Sequence, residues 1–312
     1  MVSTEDTAST DEPGRDRDVV VVGGGPAGCS AAVFTARDGL DTVVFDRGPA
    51  ALPRCAYLEN YPGFPGGIGV DTFRSLLSDH VTAAGGTVVE DTVDRVRRAP
   101  DGGFVVETQD DRTVHTSAVV AAAWYDGSYL RPLADGEMFT EREHHGETEQ
   151  RFDPDYPDRD GRTPIEGLYV AAPAGDRNDQ AVISAGQGAH VARTLLADRR
   201  REQGYPDSVA ERYDWMRPEA EFTGEWSDRD RWREWFHDEI PDGPELPEER
   251  LTDLREQYID EAFETRLSDE EIERRRNRGI DRLVDHLDTE RVLRAIGDER
   301  LRAYLDETGV TG

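Results

Sequence analysis

Asp18-Val19-Val20-Val21-Val22-Gly23-Gly24-Gly25-Pro26-Ala27-Gly28 is the stretch on which the fold turns, and Thr42-Val43-Val44-Phe45-Asp46 completes it. Four β-branched valines in a row are the pattern of a strand buried on both faces of a parallel sheet. The glycines that follow break the strand, and a small-residue run through Ala36 predicts a helix. Thr42–Asp46 then predicts a second strand. Strand, glycine turn, helix and strand make one βαβ unit, which sets the class as α/β, with a Rossmann-like domain built on a parallel sheet.

The spacing Gly23-x-Gly25-x-x-Gly28 is that of a dinucleotide fingerprint, and it lies where one must lie, between strand and helix. The first glycine permits the sharp turn, and the second lets the backbone approach a pyrophosphate. The third lets helix and strand pack closely, so that the helix opening at Pro26 and Ala27 aims its N-terminus at the phosphates. Asp46, 18 residues beyond Gly28, ends the second strand where an acid accepts hydrogen bonds from an adenosine ribose. These residues point to a dinucleotide without separating FAD from NAD.

Residues 52–69 are rich in proline and glycine and predict a loop. A helix over about 71–84 leads to a third strand at Thr87–Glu90. Short strands at 93–97, 103–108 and 113–116 read as a β-meander. Ala118–Ala123 and Gly167–Ala171 predict two more buried strands, and Gln180–Arg199 a long helix. Residues 125–164 are polar and without periodicity, and read as a linker or long loop. After Tyr205, apolar residues recur at helical spacing, as in Trp232, Trp235, Phe236 and Ile240, or Leu283, Val284 and Leu287. Ser268 with Glu271 has the form of a capping box. The expected organisation is a disordered tail over 1–17, a Rossmann-type domain over 18–204 and an all-α acidic extension over 205–312.

The 312 residues carry 67 acidic side chains against 37 arginines and no lysine, a net charge of −30. Such acidity repels phosphates and argues against nucleic acid or an anionic membrane as a partner. Without lysine there is no Schiff base and no lysine nucleophile. The composition resembles that of proteins from salt-accumulating archaea, where molar salt shortens the Debye length to about 3 Å and relieves self-repulsion. Cys29 and Cys55 form neither a disulfide framework nor a Cys-x-x-Cys pair, which indicates a reducing compartment. The acidic N-terminus lacks the features of a signal peptide, and no apolar run is long enough for a membrane span. The expected location is the cytoplasm. His144-His145 has no partner at metal-ligand spacing, and no metal site is expected.

Glu59-Asn60-Tyr61-Pro62-Gly63-Phe64-Pro65 resembles the flavin-side loop of the thioredoxin reductase family. Gly167–Ala171 resembles that family's late strand, and Gln180–Ala189 the helix it aims at its flavin. The resemblance covers about 18–130 and 165–198, the FAD-binding half of the family. It implies FAD as the cofactor, with Gly23, Gly25 and Gly28 around the pyrophosphate and Asp46 on the adenosine ribose. It implies Arg47 over the adenine edge, Val93 near the adenine and Asn60 beside the flavin. Gln180 and Ala181 would face the flavin carbonyl at C2, where a helix N-terminus favours the anionic reduced flavin. Two motifs differ. Ala122-Ala123-Trp124 stands where the family has Ala-Thr-Gly, and Ala172-Pro173 where it has Gly-Asp, with Asp176 offering an acid through a shifted loop.

Reductases of this family carry a second Rossmann unit for NADPH between the halves of the FAD domain. The roughly 40 residues between Trp124 and Ile165 are too few for one, since a domain needs on the order of 100. With no Cys-x-x-Cys either, the resemblance implies an FAD-dependent oxidoreductase that is not a thioredoxin reductase. NAD(P)H could serve as electron donor only by docking in the flavin cleft, and the redox partner is a small molecule or a protein. The alternative is a non-catalytic FAD- or nucleotide-binding protein acting as an interaction module. The helical extension is expected to lid the site, receive a partner or form a homo-oligomer. Cys55 reads as a thiol exchanging electrons with the flavin or, more simply, as a small core residue. Cys29, His190, Trp232 and Trp235 read as packing residues, and no residue takes a catalytic role.

Overall fold

Strand β1 (Asp16–Val22) runs through the sheet of the first unit with β2 (Thr42–Phe45) on one side and the later strand β6 (Thr113–Ala121) on the other, both parallel to it. The structure, a computed structural model, describes residues 16–47, 51–123, 127–134, 136–144, 147–171, 180–240 and 246–309. β3 (Thr87–Val89) lies parallel beyond β2, and β4 (Val93–Arg98) and β5 (Phe104–Thr108) continue antiparallel from β6, giving the order β3-β2-β1-β6-β5-β4. Val19 to Val22 are all buried, as a strand covered on both faces must be. Val19 and Val21 join the core under the helices, while Val20 and Val22 join the core beneath the meander.

Thr113–Thr116 and Ala118–Ala123, expected as separate strands, form one strand, β6, through Ala121. It pairs with β5 antiparallel over Thr113–Thr116, then with β9 (Leu168–Val170) parallel over Val119–Ala121. At Ser117 the chain changes partners without changing direction, so no turn is needed.

Helices α1 (Pro26–Arg37) and α3 (Ala181–Gln203) cover one face of the sheet, and α2 (Val70–Ala83) packs beside α1. Their contact depends on small residues. A Cβ at Gly188 would lie 1.9 Å from the carbonyl oxygen of Ala27. Arg162 grips Asp198 of α3 at 2.7 and 2.9 Å, and the Tyr169 hydroxyl donates to the same carboxylate at 3.1 Å.

The segment expected as a linker is folded where it is described. Ser128–Leu133 forms a 3-10 turn, and β7 (Phe139–His144) with β8 (Glu147–Phe152) forms an antiparallel hairpin. Tyr129, Leu130, Leu133 and Met138 are buried in the same core as Val20 and Val22. Tyr129, Leu130 and Leu133 have helical spacing for a single turn interrupted by Pro132, too short for a periodic signal to announce them.

The chain divides into two compact units, 1–212 and 213–312. The division falls after Arg212 because Arg200 stacks on the Tyr205 ring at 4.0 Å and the short helix α4 (Asp207–Ala210) packs on α3. Among its described residues the second unit contains α5 (Arg229–Asp238), α6 (Glu248–Glu264), α7 (Asp269–Asp285), α8 (Thr289–Ile296) and α9 (Asp298–Thr308). Phe236, Leu254 and Ile259 form its buried centre. Trp232 and Trp235 are half-buried and lie in a chain of ring contacts running to Tyr258 and Phe263. Arg266 is sandwiched between Phe222 and Phe263, 3.9 and 3.4 Å from their centroids. Ser268 caps α7 by accepting from the Glu271 N–H at 3.3 Å, as its sequence suggests. No helix of the described residues is long and apolar enough to cross a membrane.

Candidate functional site

The turn between β1 and α1 needs its glycines for different reasons. Gly23 has a left-handed φ of +106°, and a Cβ there would sit 2.9 Å from the backbone of Ala122 and Ala123. A Cβ at Gly28 would lie 1.8 Å from the Gly23 carbonyl oxygen, so the third fingerprint glycine closes the helix onto the turn. Gly24, which the fingerprint leaves unassigned, is as constrained: a Cβ there would be 2.5 Å from the Asp46 side chain. Only Gly25 faces open space, with no heavy atom within 4 Å of an added Cβ. It caps α1 ahead of Pro26, at the helix end where N–H groups have no helical acceptor and the dipole is positive. Ala27 is buried, and its carbonyl meets Gly188, so its contribution to a ligand is through backbone only.

Asp46 leaves β2 beside this turn. Its carboxylate accepts from the Gly24 N–H at 3.2 Å, lies 3.6 Å from Arg74 and remains partly exposed. Arg47 places both terminal nitrogens on Asp110, at 2.7 and 2.8 Å, and one of them also on Asp91 at 3.2 Å. Asp91 is wholly buried, accepts from the Thr92 N–H at 2.7 Å and is paired with Arg112. Burial alone would push its carboxyl up, but hydrogen bonds from Thr108, Arg112 and Thr92 outweigh that and hold it below the ordinary range. Asp91, Asp110 and Arg112 carry no motif. They meet because the antiparallel pairing of β4 with β5 sets the segment entering β4 beside the turn that leaves β5, where the Gln109 N–H donates to the Thr92 carbonyl at 2.9 Å. Val93 is buried in the sheet core, so its side chain faces packing and only its backbone is available to an adenine.

Sixty residues into the chain and again at α3, the flavin-side expectations converge. Asn60 Nδ2 donates to Gln180 Oε1 at 2.7 Å across 120 residues of sequence. The loop carrying Asn60 is held by a Leu58–Ile68 bridge and by Tyr61, Phe64 and Phe73, whose ring centroids lie 4.8–6.1 Å apart. Ala181 packs on that cluster and opens α3. Because α1 and α3 both follow strands of the parallel set, they run the same way. With Gly188 against Ala27, the start of α3 projects past the start of α1 by about six residues, about 9 Å at 1.5 Å per residue.

The remaining groups offer little chemistry. Cys29 is buried and donates to the Gly24 carbonyl at 3.1 Å; burial, with Asp46 adding to it, pushes the thiol up to about 12. Cys55 is half-buried and donates to the Tyr57 carbonyl at 3.1 Å. His190 is exposed and paired with Asp160 at 2.9 Å, a surface contact rather than helix packing. Among the described residues no group of three or more His, Cys, Asp or Glu comes together to hold a metal. Asp176, Trp124, Pro173 and His145 lie outside the described residues.

At its adenosine and pyrophosphate end the site fits FAD: the open face of Gly25, the partly exposed Asp46 and the ordered Arg47 lie together at the carboxyl ends of β1 and β2. Residues 18–55 match the family model described as an FAD binding domain. Over 63 residues the chain is 43% identical to a thioredoxin reductase of Listeria monocytogenes, covering 20% of each protein. Over 122 residues it is 32% identical to a thioredoxin reductase of Pneumocystis jirovecii, covering 37% of each. The chain therefore spans between a fifth and two fifths of the curated relatives it matches. A thioredoxin reductase structure from Gloeobacter violaceus aligns with a TM-score of 0.49 at 20% identity, over 65% of this chain and 98% of that one. The fingerprint match and these partial relatives support placing the body of this chain with the thioredoxin reductase-like FAD-binding proteins.

Proposed function

We propose that this protein is an FAD-dependent oxidoreductase of the thioredoxin reductase-like type that does not reduce thioredoxin. The observation that carries the reading is the Asn60–Gln180 hydrogen bond, which joins the flavin-side loop to the start of α3, about 9 Å beyond the start of α1. When bound, FAD supplies the electron carrier. The chain's own part is to cradle the pyrophosphate at Gly25, hold the ribose at Asp46, and set the N-terminus of α3 where its N–H groups stabilise negative charge. Against thioredoxin reduction stand the missing Cys-x-x-Cys and the buried, hydrogen-bonded state of Cys29.

Without a nicotinamide domain, NADH or NADPH must dock against the flavin, or a small-molecule or protein partner must supply electrons. The setting we assign is cytoplasmic, with neither nucleic acid nor membrane as a partner, since a net charge of −30 repels both. The second unit leaves Ile280, Leu283 and Val284 of α7, and Leu287 just beyond its end, exposed, a stripe suited to self-association. A second reading, a flavin-binding interaction module without catalysis, is favoured by the absence of any paired thiol.

The test is the visible spectrum of protein purified in molar KCl, followed by dithionite, NADH and NADPH in turn. Bleaching of a flavin band by a nicotinamide supports an oxidoreductase using that donor. A flavin reduced by dithionite that passes electrons to no acceptor supports the second reading. A protein that takes up no FAD refutes both.

A further inference from the structure

Arg47, Asp110, Arg112 and Asp91 form a closed ring of charges at the carboxyl ends of β2 and β3. Asp110 takes both terminal nitrogens of Arg47, Asp91 takes one of them again, and Arg112 approaches both carboxylates. The ring holds two positive and two negative charges and is neutral. Arg47 is therefore ill-suited to attract a phosphate, because its charge is already matched and the edge of its fork is in use. What it keeps is the face of a planar guanidinium, held still. A held planar cation next to the ribose-binding carboxylate is suited to stacking on an aromatic base. Asp91 anchors the ring from inside: its side chain is fully buried, and it accepts the backbone N–H groups of Thr92 and Asp110 at 2.7 and 3.3 Å. Salt screens the exposed Arg47–Asp110 pair, and much less the contact with a buried carboxylate.

We propose that Asp110 and Asp91 are positioning residues that hold Arg47 by its edge so that its face stacks on the adenine of FAD. The proposal rests on the reading of this chain as an FAD-binding protein. It gives the adenosine end a specificity for the base that the fingerprint, which recognises phosphate and ribose, does not supply. Charge alone is not sufficient here. A lysine at 47 has neither the plane to stack nor the fork to bridge Asp110 and Asp91.

The experiment is a double-mutant cycle on FAD affinity, read by quenching of flavin fluorescence on deflavinated full-length protein in molar KCl. Arg47→Ala is expected to weaken FAD about tenfold, within the range of a desolvated cation–π contact. Arg47→Lys is expected to weaken it nearly as much, and Asp110→Asn several-fold. In the Arg47→Ala background Asp110→Asn is expected to have no further effect, because its role runs through Arg47. Arg47 and Asp110 are partly exposed, and Arg112 still neutralises Asp91 when Arg47 is gone, so these variants retain the fold; an unchanged melting temperature checks it. Affinities within twofold of wild type for Arg47→Ala overturn the proposal. So do full recovery by lysine, and an Asp110→Asn effect that adds undiminished to Arg47→Ala. A wild-type protein that binds no FAD refutes the functional reading itself, and is distinguishable because it fails before any variant is compared.

Discussion

Gly25→Ala and Gly28→Ala differ by one methyl each, three residues apart, and the structure assigns them opposite consequences. At Gly28 the new Cβ would lie 1.8 Å from the Gly23 carbonyl oxygen, a backbone atom that cannot swing aside. Overpacking of this kind costs about 3 kcal/mol. The helical preference of alanine over glycine returns about 1 kcal/mol. The net loss of about 2 kcal/mol lowers the melting temperature of a unit this size by roughly 4–8 °C. At Gly25 the Cβ meets nothing within 4 Å, and the φ of −74° suits alanine. The weaker helix cap is offset by the reduced freedom of the unfolded chain, leaving stability within about 1 kcal/mol of wild type. Yet the methyl projects where a pyrophosphate must approach. Losing one or two hydrogen bonds to a charged phosphate costs about 2–4 kcal/mol, or roughly 30- to 1,000-fold in affinity. Calorimetric melting and FAD titration measure the two effects separately. A Gly25→Ala protein that keeps FAD affinity within threefold of wild type would show that no phosphate uses this turn. One that melts as low as Gly28→Ala would show that its glycine is structural.

Gly188→Ala is expected to destabilise the first unit by about 2–3 kcal/mol in urea denaturation, because its Cβ would strike the Ala27 carbonyl oxygen where α3 crosses α1; an unchanged midpoint would mean the helices are not in that contact. Cys55 is expected to be alkylated by iodoacetamide at pH 8 well before Cys29, whose thiol is pushed up to about 12 by burial and Asp46, and peptide mass spectrometry would refute this if Cys29 reacted first in the native protein. Hydrogen bonds from Arg233 and Arg255 hold Glu256 down at about 2. A depressed carboxyl stabilises the fold fully above its unfolded value near 4.3, and that contribution disappears as pH falls through about 2. Stability of the second unit, followed by its tryptophan fluorescence, should therefore fall between pH 4.5 and 2 more steeply in wild type than in Glu256→Gln; parallel curves would contradict the assignment.

The parts of the fold legible in the sequence are those whose signal is local. The valine run and the three spaced glycines announce β1 and α1 because a two-faced strand and a phosphate turn each impose residue types on consecutive positions. Asn60 and Gln180 are legible only through family resemblance, since nothing within either segment records a partner 120 residues away. The segment carrying Leu130 and Met138 reads as a linker because its few apolar residues are diluted by arginine and acids, although they are buried in the sheet core. Gly24 and Gly188 were hidden for the opposite reason. A glycine among glycines, or within a small-residue helix, looks permissive until the neighbouring backbone is placed. The ring around Arg47 is the extreme case, four charged residues from three places in a chain where every third residue is charged.

The absence of lysine then has a geometric meaning beyond charge. At the places where this fold relies on an ion pair, one guanidinium makes several contacts at once: Arg47 with Asp110 and Asp91, Arg162 with Asp198, Arg233 with Glu256. An ammonium can neutralise one of these carboxylates but cannot span two oxygens in a fixed plane. Exposed single-contact pairs contribute at most about 1 kcal/mol and fade with salt, whereas a fork fixes orientation as well as distance. In a chain with nearly two acids for every base, a cation that orders more than one acceptor is useful, and arginine is the side chain able to do so. The same surplus of carboxylates that gives no indication of the reaction thus determines how the adenosine end of the site is built, with two acids spent on orienting one arginine.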